Sequence, residues 1–433
     1  MLSHLRRFVA TVAVALIGMA GVTACTPAIA PIQPPAHEAF DAADINRGAE
    51  LAALGDCAVC HTERNGRPLA GGRGVQTPFG TVYATNITPD TASGIGRWSL
   101  AAFSRAMRDG IDREGRHLYP VLPYPHFIHA TDADIAAMYA FLMTRQPVNQ
   151  TPRANDLRFP FNLRPLLAVW DLMFLKPGEW RPNPGRSPEW NRGAYLVDAI
   201  GHCGACHTPH NVLGAEQSSR ALTGGEAEGW YAPALQADSP ARAAWSADAL
   251  TTYLRTGLDS GHGAAAGPMT AVTRQLATIP ETDVRAIAVY VDSLMSADTR
   301  HDGSSGVPSD VPSGAAVRER QSDANTPVAA IFDGACAACH GANAPMTRNG
   351  MPSLALSSAV RAPTARNMVD VILLGLPWHE GHAGPYMPGY ASALTDRQVA
   401  ALAAYVRARY SNLSAWTDVE AAIQSARRQG GGT

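Results

Sequence analysis

The stretch Asn46-Arg47-Gly48-Ala49-Glu50-Leu51-Ala52-Ala53-Leu54-Gly55-Asp56-Cys57-Ala58-Val59-Cys60-His61 decides the architecture. It ends in Cys-x-x-Cys-His. Two cysteines three positions apart on a helical turn present both thiols to one face, where they can form thioether bonds to the vinyl groups of a haem. The His that follows is then held beneath the iron as its proximal ligand. The same pattern stands at Cys203-Gly204-Ala205-Cys206-His207 and at Cys336-Ala337-Ala338-Cys339-His340. A zinc site would need a further Cys or His pair at matching spacing, and six of the seven cysteines are already used. The sequence therefore predicts three covalently bound haem c groups. Cys57, Cys60, Cys203, Cys206, Cys336 and Cys339 would carry the thioethers, and His61, His207 and His340 would bind iron.

The motifs sit in a repeat. Asn191-Arg192-Gly193-Ala194-Tyr195-Leu196 leads into the second motif at what reads as the same offset, and Val328-Ala329-Ala330-Ile331-Phe332 is a degenerate lead into the third. Each lead can form a helix whose apolar face reaches the haem. Each repeat also closes alike. Thr131-Asp132-Ala133-Asp134, Pro280-Glu281-Thr282-Asp283 and Thr395-Asp396-Arg397 open runs with apolar residues at helical spacing, and a Thr or Asp in that place marks a helix start. Further helices are predicted from Trp98-Ser99, from Trp245-Ser246 and over Arg366 to Leu374. A unit seen three times weighs more than any single helix. The prediction is a mainly α chain with almost no sheet. The glycines at Gly71-Gly72-Arg73-Gly74 and Gly224-Gly225 read as close-approach turns near a haem.

The expected boundaries follow: haem domains over 42–146, 189–296 and 327–411; an apolar connector over 147–188; a flexible linker over 297–326; a C-terminal tail over 412–433. The connector carries Phe159, Phe161, Leu163, Leu166, Leu167, Trp170, Leu172, Met173 and Trp180, and must bury its apolar side. It would either pack between the first two haem domains or dock a partner subunit or the membrane. Residues 1–30 read as an export signal, with Arg6 and Arg7 before an apolar run from Phe8 to Val22. Val22-Thr23-Ala24-Cys25 resembles a lipoprotein signal, which would lipidate Cys25; cleavage after Ala28-Ile29-Ala30 would instead discard it. Either way the chain is expected in the periplasm, associated with the cytoplasmic membrane. The formal net charge of −2 gives no electrostatic support to a nucleic-acid partner.

Sixth ligands are less uniform. Met269 lies 62 residues after His207, behind Gly267-Pro268, and Met387 lies 47 after His340, within Gly384-Pro385-Tyr386-Met387-Pro388. A thioether in that place suits the distal position and raises the reduction potential. In the first repeat, 61 residues after His61, stands Leu122, which cannot bind iron. His126 is then a candidate distal ligand; the first iron could instead be five-coordinate, or His117 or His129 could reach it.

With the repeats laid out, the chain resembles the three-haem cytochrome c subunits of membrane-associated bacterial dehydrogenases. The resemblance rests on Thr77-Pro78-Phe79-Gly80-Thr81-Val82-Tyr83-Ala84-Thr85-Asn86-Ile87-Thr88-Pro89-Asp90, Gly94-Ile95-Gly96-Arg97-Trp98-Ser99, Gly115-Arg116-His117-Leu118-Tyr119-Pro120 and the second lead from Glu189. It spans roughly residues 45–410. It implies three tandem class I cytochrome c domains, a catalytic dehydrogenase subunit as electron donor, and quinone or another respiratory acceptor. Members that serve quinoprotein alcohol dehydrogenases usually have Met where Leu122 stands. Those that serve molybdenum hydroxylases have an apolar residue there, followed by a run similar to Pro123-Tyr124-Pro125-His126-Phe127. Gly224 to Pro233 and His262 to Met269 are also similar to that branch, so a molybdenum-hydroxylase partner is favoured over a quinoprotein or a flavin-dependent gluconate or sorbitol dehydrogenase. A function of another class, a haem enzyme or ligand sensor, would need an open first haem beside Leu122.

Overall fold

Each lead folds as its periodicity predicts. In the computed structural model, which describes residues 26–237, 239, 244–296, 326–341, 344, 352–376 and 385–430, helices make up about 47% of the described residues. The expected export signal through Cys25 and nearly all of the expected 297–326 linker lie outside the described residues. The chain forms two compact units, one of Met1–Pro182 with Tyr195–His202 and the other of Asn183–Ala194 with Cys203–Thr433.

In the first unit the lead helix Ala42–Leu54 buries Gly48, Leu51, Ala52 and Leu54. The closing helix Asp132–Met143 is capped by Thr131, whose hydroxyl accepts from the Asp134 N–H at 3.2 Å. The two helices cross at Gly48, where an added Cβ would lie 1.9 Å from the Ala137 carbonyl oxygen. Helix Leu100–Asp109 starts on the Ser99 cap and stops at Gly110, whose φ of 63° is the left-handed helix end that glycine adopts without strain. The second unit repeats this plan. Helix Ala247–Thr256 starts on Ser246 and stops at Gly257. The closing helix Glu281–Met295 crosses the second lead at Gly193, whose Cβ would lie 1.9 Å from the Ala286 carbonyl oxygen.

An ion pair brackets the crossing in both repeats. Arg192 Nε and Nη2 donate to the two carboxylate oxygens of Asp283 at 2.8 and 2.7 Å. The counterpart pair, Arg47 Nε to Asp134, is 3.4 Å long. A short bidentate pair is stronger than a long contact of similar burial. Asp283→Asn is therefore expected to cost about 1–2 kcal/mol, read as a lower urea midpoint of the holoprotein. Asp134→Asn should cost less.

The second lead is one residue longer than the first: eleven positions separate Asn46 from Cys57, but twelve separate Asn191 from Cys203. The common offset expected from the sequence is therefore off by one. Helix Pro188–Tyr195 continues through a π turn, Leu196–Ile200. A π turn holds one extra residue without breaking the helix, so Gly193 and Cys203 both keep their places.

The expectation of almost no sheet needs correction. The chain after each of the first two motifs returns through a hairpin: Gly74–Thr77 with Gly80–Tyr83, extended by Asp156–Leu157, and Gly225–Ala227 with Trp230–Ala232. A third pairing joins Leu258–Asp259 to Gly263–Ala264. Strands of two to four residues are too short to show an alternating pattern.

The third repeat also lies in the second unit. Its lead Pro327–Ala335 starts on Thr326, and its closing helix Asp396–Tyr410 starts on a capping box of Thr395 and Gln398. The segment assigned as a C-terminal tail contains a helix, Val419–Gly430, that buries Val419, Ala422, Ile423 and Ala426 in the core of this repeat. Asn367, on helix Arg366–Leu374, exchanges two hydrogen bonds of 2.8 Å with the backbone of Tyr231 on the second repeat's hairpin. Asn367→Ala leaves both strand groups without these partners. A loss of about 1–3 kcal/mol is expected, with Asn367→Asp intermediate because it keeps the acceptor; thermal melting followed by haem absorption would read it.

Candidate haem sites

The hairpins explain how the candidate proximal histidines are held. Motif helix Cys57–His61 follows Asp56, whose left-handed φ of 51° turns the chain sharply into it. Beyond the motif, the Gly71 N–H donates to the His61 carbonyl at 2.7 Å, and the strand pair then carries the chain back to Thr85. The His61 Nδ1 lies 2.6 Å from the Thr85 carbonyl oxygen. The second site is built alike. Gly224 N–H donates to the His207 carbonyl at 2.8 Å, the hairpin returns to Pro233, and His207 Nδ1 lies 2.7 Å from the Pro233 carbonyl oxygen. A carbonyl can only accept, so Nδ1 carries the proton and Nε2 keeps its lone pair. That is the state of an imidazole metal ligand. Glycine is required beside each motif: a Cβ on Gly71 would meet the Thr85 carbonyl carbon at 2.5 Å, and one on Gly225 the Cys206 oxygen at 2.4 Å. The sequence predicts close-approach turns near a haem at these glycines; what approaches them here is backbone.

Burial acts in the same direction. It lowers the pKa of His61, His207 and His340, against the opposing pull of the Thr85 and Pro233 carbonyls in the first two. All three rings are thus kept neutral, as iron ligation requires. Burial also pushes the Cys57 thiol up to about 12, so it is a neutral thiol. In the third site, motif helix Ala337–His340 is fixed from behind by the Tyr410 hydroxyl, which donates to the His340 carbonyl at 3.0 Å. Residues 345–351, in the loop after that motif, lie outside the described residues. Two spaced cysteines and a neutral imidazole with its Nδ1 pinned fit a covalent haem in the first two sites, and the donor set is the same in the third.

Met269 occupies the first turn of helix Pro268–Leu276, right after Gly267, whose φ is 55°. A Cβ on Gly267 would lie 2.4 Å from the Trp230 ring. Met387 exchanges two backbone hydrogen bonds with Leu376, at 2.8 and 3.0 Å. In the first repeat, Leu118 N–H donates to the Gly110 carbonyl as Ala265 N–H does to Gly257, at 2.6 and 2.8 Å. Counting four residues on from each donor places Leu122 where the second repeat has Met269.

The three histidines near Leu122 have different settings. His126, on the short helix Tyr124–Phe127, has Nδ1 2.7 Å from the Asp198 carbonyl oxygen. His129 Nδ1 faces the Gly178 carbonyl oxygen. His117 is buried, with Nδ1 2.6 Å from Asp171 Oδ2, while Tyr124 donates to Asp171 Oδ1 at 2.6 Å. The Asp171 role and the holding carbonyls of Thr85 and Pro233 were not found from sequence. Carbonyls have no residue signature, and an Asp inside an apolar connector reads as a solvated charge.

A family profile described as cytochrome c matches residues 45–146 and 326–409. The chain is 49% identical over 385 residues to a subunit of the nicotinate dehydrogenase of Pseudomonas putida, a match that covers 88% of this chain and 32% of that protein. It thus spans about one third of that relative's length. It is 35% identical over 403 residues to the fructose dehydrogenase cytochrome subunit of Gluconobacter japonicus, covering 88% of this chain and 82% of that one. It is 34% identical over 403 residues to the cytochrome c subunit of a quinone alcohol dehydrogenase of Gluconacetobacter polyoxogenes, covering 90% and 85%. With its paired cysteines, its pinned histidines and these relatives, the chain belongs to the family of cytochrome c subunits of dehydrogenases.

Proposed function

We propose that this chain is the electron-transfer subunit of a dehydrogenase complex on the periplasmic side of the cytoplasmic membrane. It would hold three covalent haem c groups in three tandem class I domains. It would accept electrons from a catalytic subunit of the molybdenum-hydroxylase kind and pass them to quinone or another respiratory acceptor. The observation that carries this reading is the repeated proximal site, in which His61 and His207 each stand behind a Cys-x-x-Cys pair with Nδ1 on a backbone carbonyl. The 49% identity to a nicotinate dehydrogenase subunit supports the choice of partner.

When bound, haem c supplies reversible one-electron chemistry. The residues of this chain supply attachment through Cys57, Cys60, Cys203, Cys206, Cys336 and Cys339, and axial ligation through His61, His207 and His340. Met269 and Met387 are the proposed distal ligands of the second and third sites. His126 is the proposed distal ligand of the first, with Asp198 directing its tautomer. A bis-His site has a lower potential than a His–Met site, so the first site would differ from the other two. Haem quantification and intact mass should give three haems per chain, and the dehydrogenase should copurify. Two haems per chain, or a chain isolated only as a free monomer, would overturn the reading. If the first haem instead binds carbon monoxide when reduced, it has an open position and His126 is not its ligand.

A further inference from the structure

The connector solves its burial problem only on one side. Helix Pro165–Phe174 buries Leu167, Ala168 and Trp170. Its outer face, with the turn before it, leaves Phe159, Leu172 and Met173 at 78, 69 and 55% exposure, and Phe161, Leu163 and Leu166 at 40–44%. Among the described residues, eleven large hydrophobic side chains are exposed, and six of them lie in these fifteen positions. A concentration of this kind marks an interaction surface rather than scattered surface apolarity.

We propose that this face, residues 159–173 of the first unit, seats on an anionic lipid bilayer surface. Three observations select a bilayer. The first is charge: between 145 and 181 there are six basic residues (Arg145, Arg153, Arg158, Arg164, Lys176, Arg181) against three acids (Asp156, Asp171, Glu179), in a chain of net charge −2. Arg145 and Arg164 are turned inward onto the Phe141 and His117 carbonyls and Asp171 onto His117 and Tyr124, which leaves Arg153, Arg158, Lys176 and Arg181 exposed against Asp156 and Glu179. An apolar face with a cationic rim is the pattern of a segment lying in the bilayer interface.

The second observation is rigidity. Arg164 donates to the His117 carbonyl at 2.7 Å, and Asp171 holds His117 and Tyr124 from the next turns. The helix is fastened by its inner face, so the outer side chains are presented together. The third is continuity with the start of the chain. Thr26 to Ile32 run along the loop that also holds the connector. Pro27 accepts from Arg105 Nη1 at 2.8 Å, Ile29 N–H donates to the Arg113 carbonyl at 2.9 Å, and the Thr26 oxygen lies 2.0 Å from where a Gly115 Cβ would be. Gly115 is two residues from His117. Cys25 and the apolar run of residues 8–22 directly precede Thr26 in the sequence. The two features that favour a membrane therefore converge on one loop, 112–117. Because no helix among the described residues is long and apolar enough to cross a bilayer, seating on the surface is the mode these side chains suit.

The test uses the full holoprotein, secreted so that it begins at Thr26 and carries no acyl chain. It is sedimented with vesicles of phosphatidylglycerol and phosphatidylethanolamine, and with vesicles of phosphatidylcholine alone. Binding is expected to the anionic vesicles, and to weaken in high salt. Phe159→Ser/Leu172→Ser/Met173→Ser should lower the bound fraction at least tenfold, with haem content, absorption spectrum and dithionite reduction unchanged. Undiminished binding of the triple variant would overturn the proposal, and so would no binding of the unaltered protein. A variant that binds vesicles normally but no longer copurifies with the dehydrogenase would reassign the face to a protein partner. Haem content and reduction report on the electron-transfer reading separately, so failure of one does not mimic failure of the other.

Discussion

Gly193→Ala is expected to destabilise the second haem unit, although alanine is the better helix former. In a free helix the exchange gains about 0.8–1.0 kcal/mol. Here the new methyl would lie 1.9 Å from the Ala286 oxygen, 2.5 Å from its carbonyl carbon and 2.9 Å from the Tyr290 Cβ. The first two are backbone atoms and cannot swing away, so the helices must part. Overpacking of this kind costs about 1–3 kcal/mol and occasionally more, and separating the helices also loosens the Arg192–Asp283 pair. The net effect should be a loss of about 2 kcal/mol, or roughly 4–8 °C in melting temperature for a unit of this size. Gly48→Ala should behave alike, since its Cβ would lie 1.9 Å from the Ala137 oxygen. Gly334, in the third lead, has nothing within 4 Å of its Cβ position, so Gly334→Ala should be neutral or stabilising by up to about 1 kcal/mol. If all three glycines respond alike, the helices do not cross at residues 48 and 193.

Met269→Leu is expected to change the second haem most, because it copies the first repeat's Leu122 into the second. The thioether is a weak, potential-raising ligand, and leucine offers no donor. The oxidised variant should lose its Met–iron charge-transfer band, turn high-spin and bind carbon monoxide when reduced. Its potential should fall by on the order of a hundred millivolts or more, within the roughly 0.8 V that axial ligation spans. Stability should change little, since Leu and Met are similar in volume and such exchanges usually cost below about 1.5 kcal/mol. The reciprocal Leu122→Met should create the band in the first haem only when His126, its proposed distal ligand, is also replaced by a residue without a donor. A potentiometric titration of both variants, with the absorption spectrum followed throughout, checks the pair. Unaltered spectra in Met269→Leu would remove Met269 from the coordination sphere.

How much of this was readable from the sequence depends on what each feature left there. The motifs were plain because covalent haem chemistry fixes both residue type and spacing. The leads and closing helices were plain because each buries an apolar stripe at helical period. The glycine within the first two leads was visible as a repeated Asn-Arg-Gly-Ala, yet its reason lies in a partner helix some ninety residues away, at Ala137 or Ala286. The hairpins were missed because their strands are short and rich in Gly and Thr. The terminal helix Val419–Gly430 was missed although Val419, Ala422, Ile423 and Ala426 keep helical spacing; its stripe is mostly alanine, which reads as weakly apolar. The connector was legible as apolar, but not the division between its buried and exposed sides. That division is set by Asp171, which draws one face of the helix inward.

The first unit does not end where its repeat ends. It includes Tyr195–His202, from which the Tyr195 hydroxyl donates to Asp134 at 2.7 Å, the Asp198 carbonyl meets His126 Nδ1, and His202 Nε2 lies 3.2 Å from the Gly55 carbonyl oxygen. A chain that appears from its N-terminus onward can therefore complete its first unit only after residue 202 has emerged, when Cys203 is the next residue to appear. Folding is staggered as a result: the first unit finishes its packing as the second Cys-x-x-Cys-His motif begins to emerge. A fragment cut at the connector would lack those three contacts, so the first haem is best studied in fragments that extend through His202.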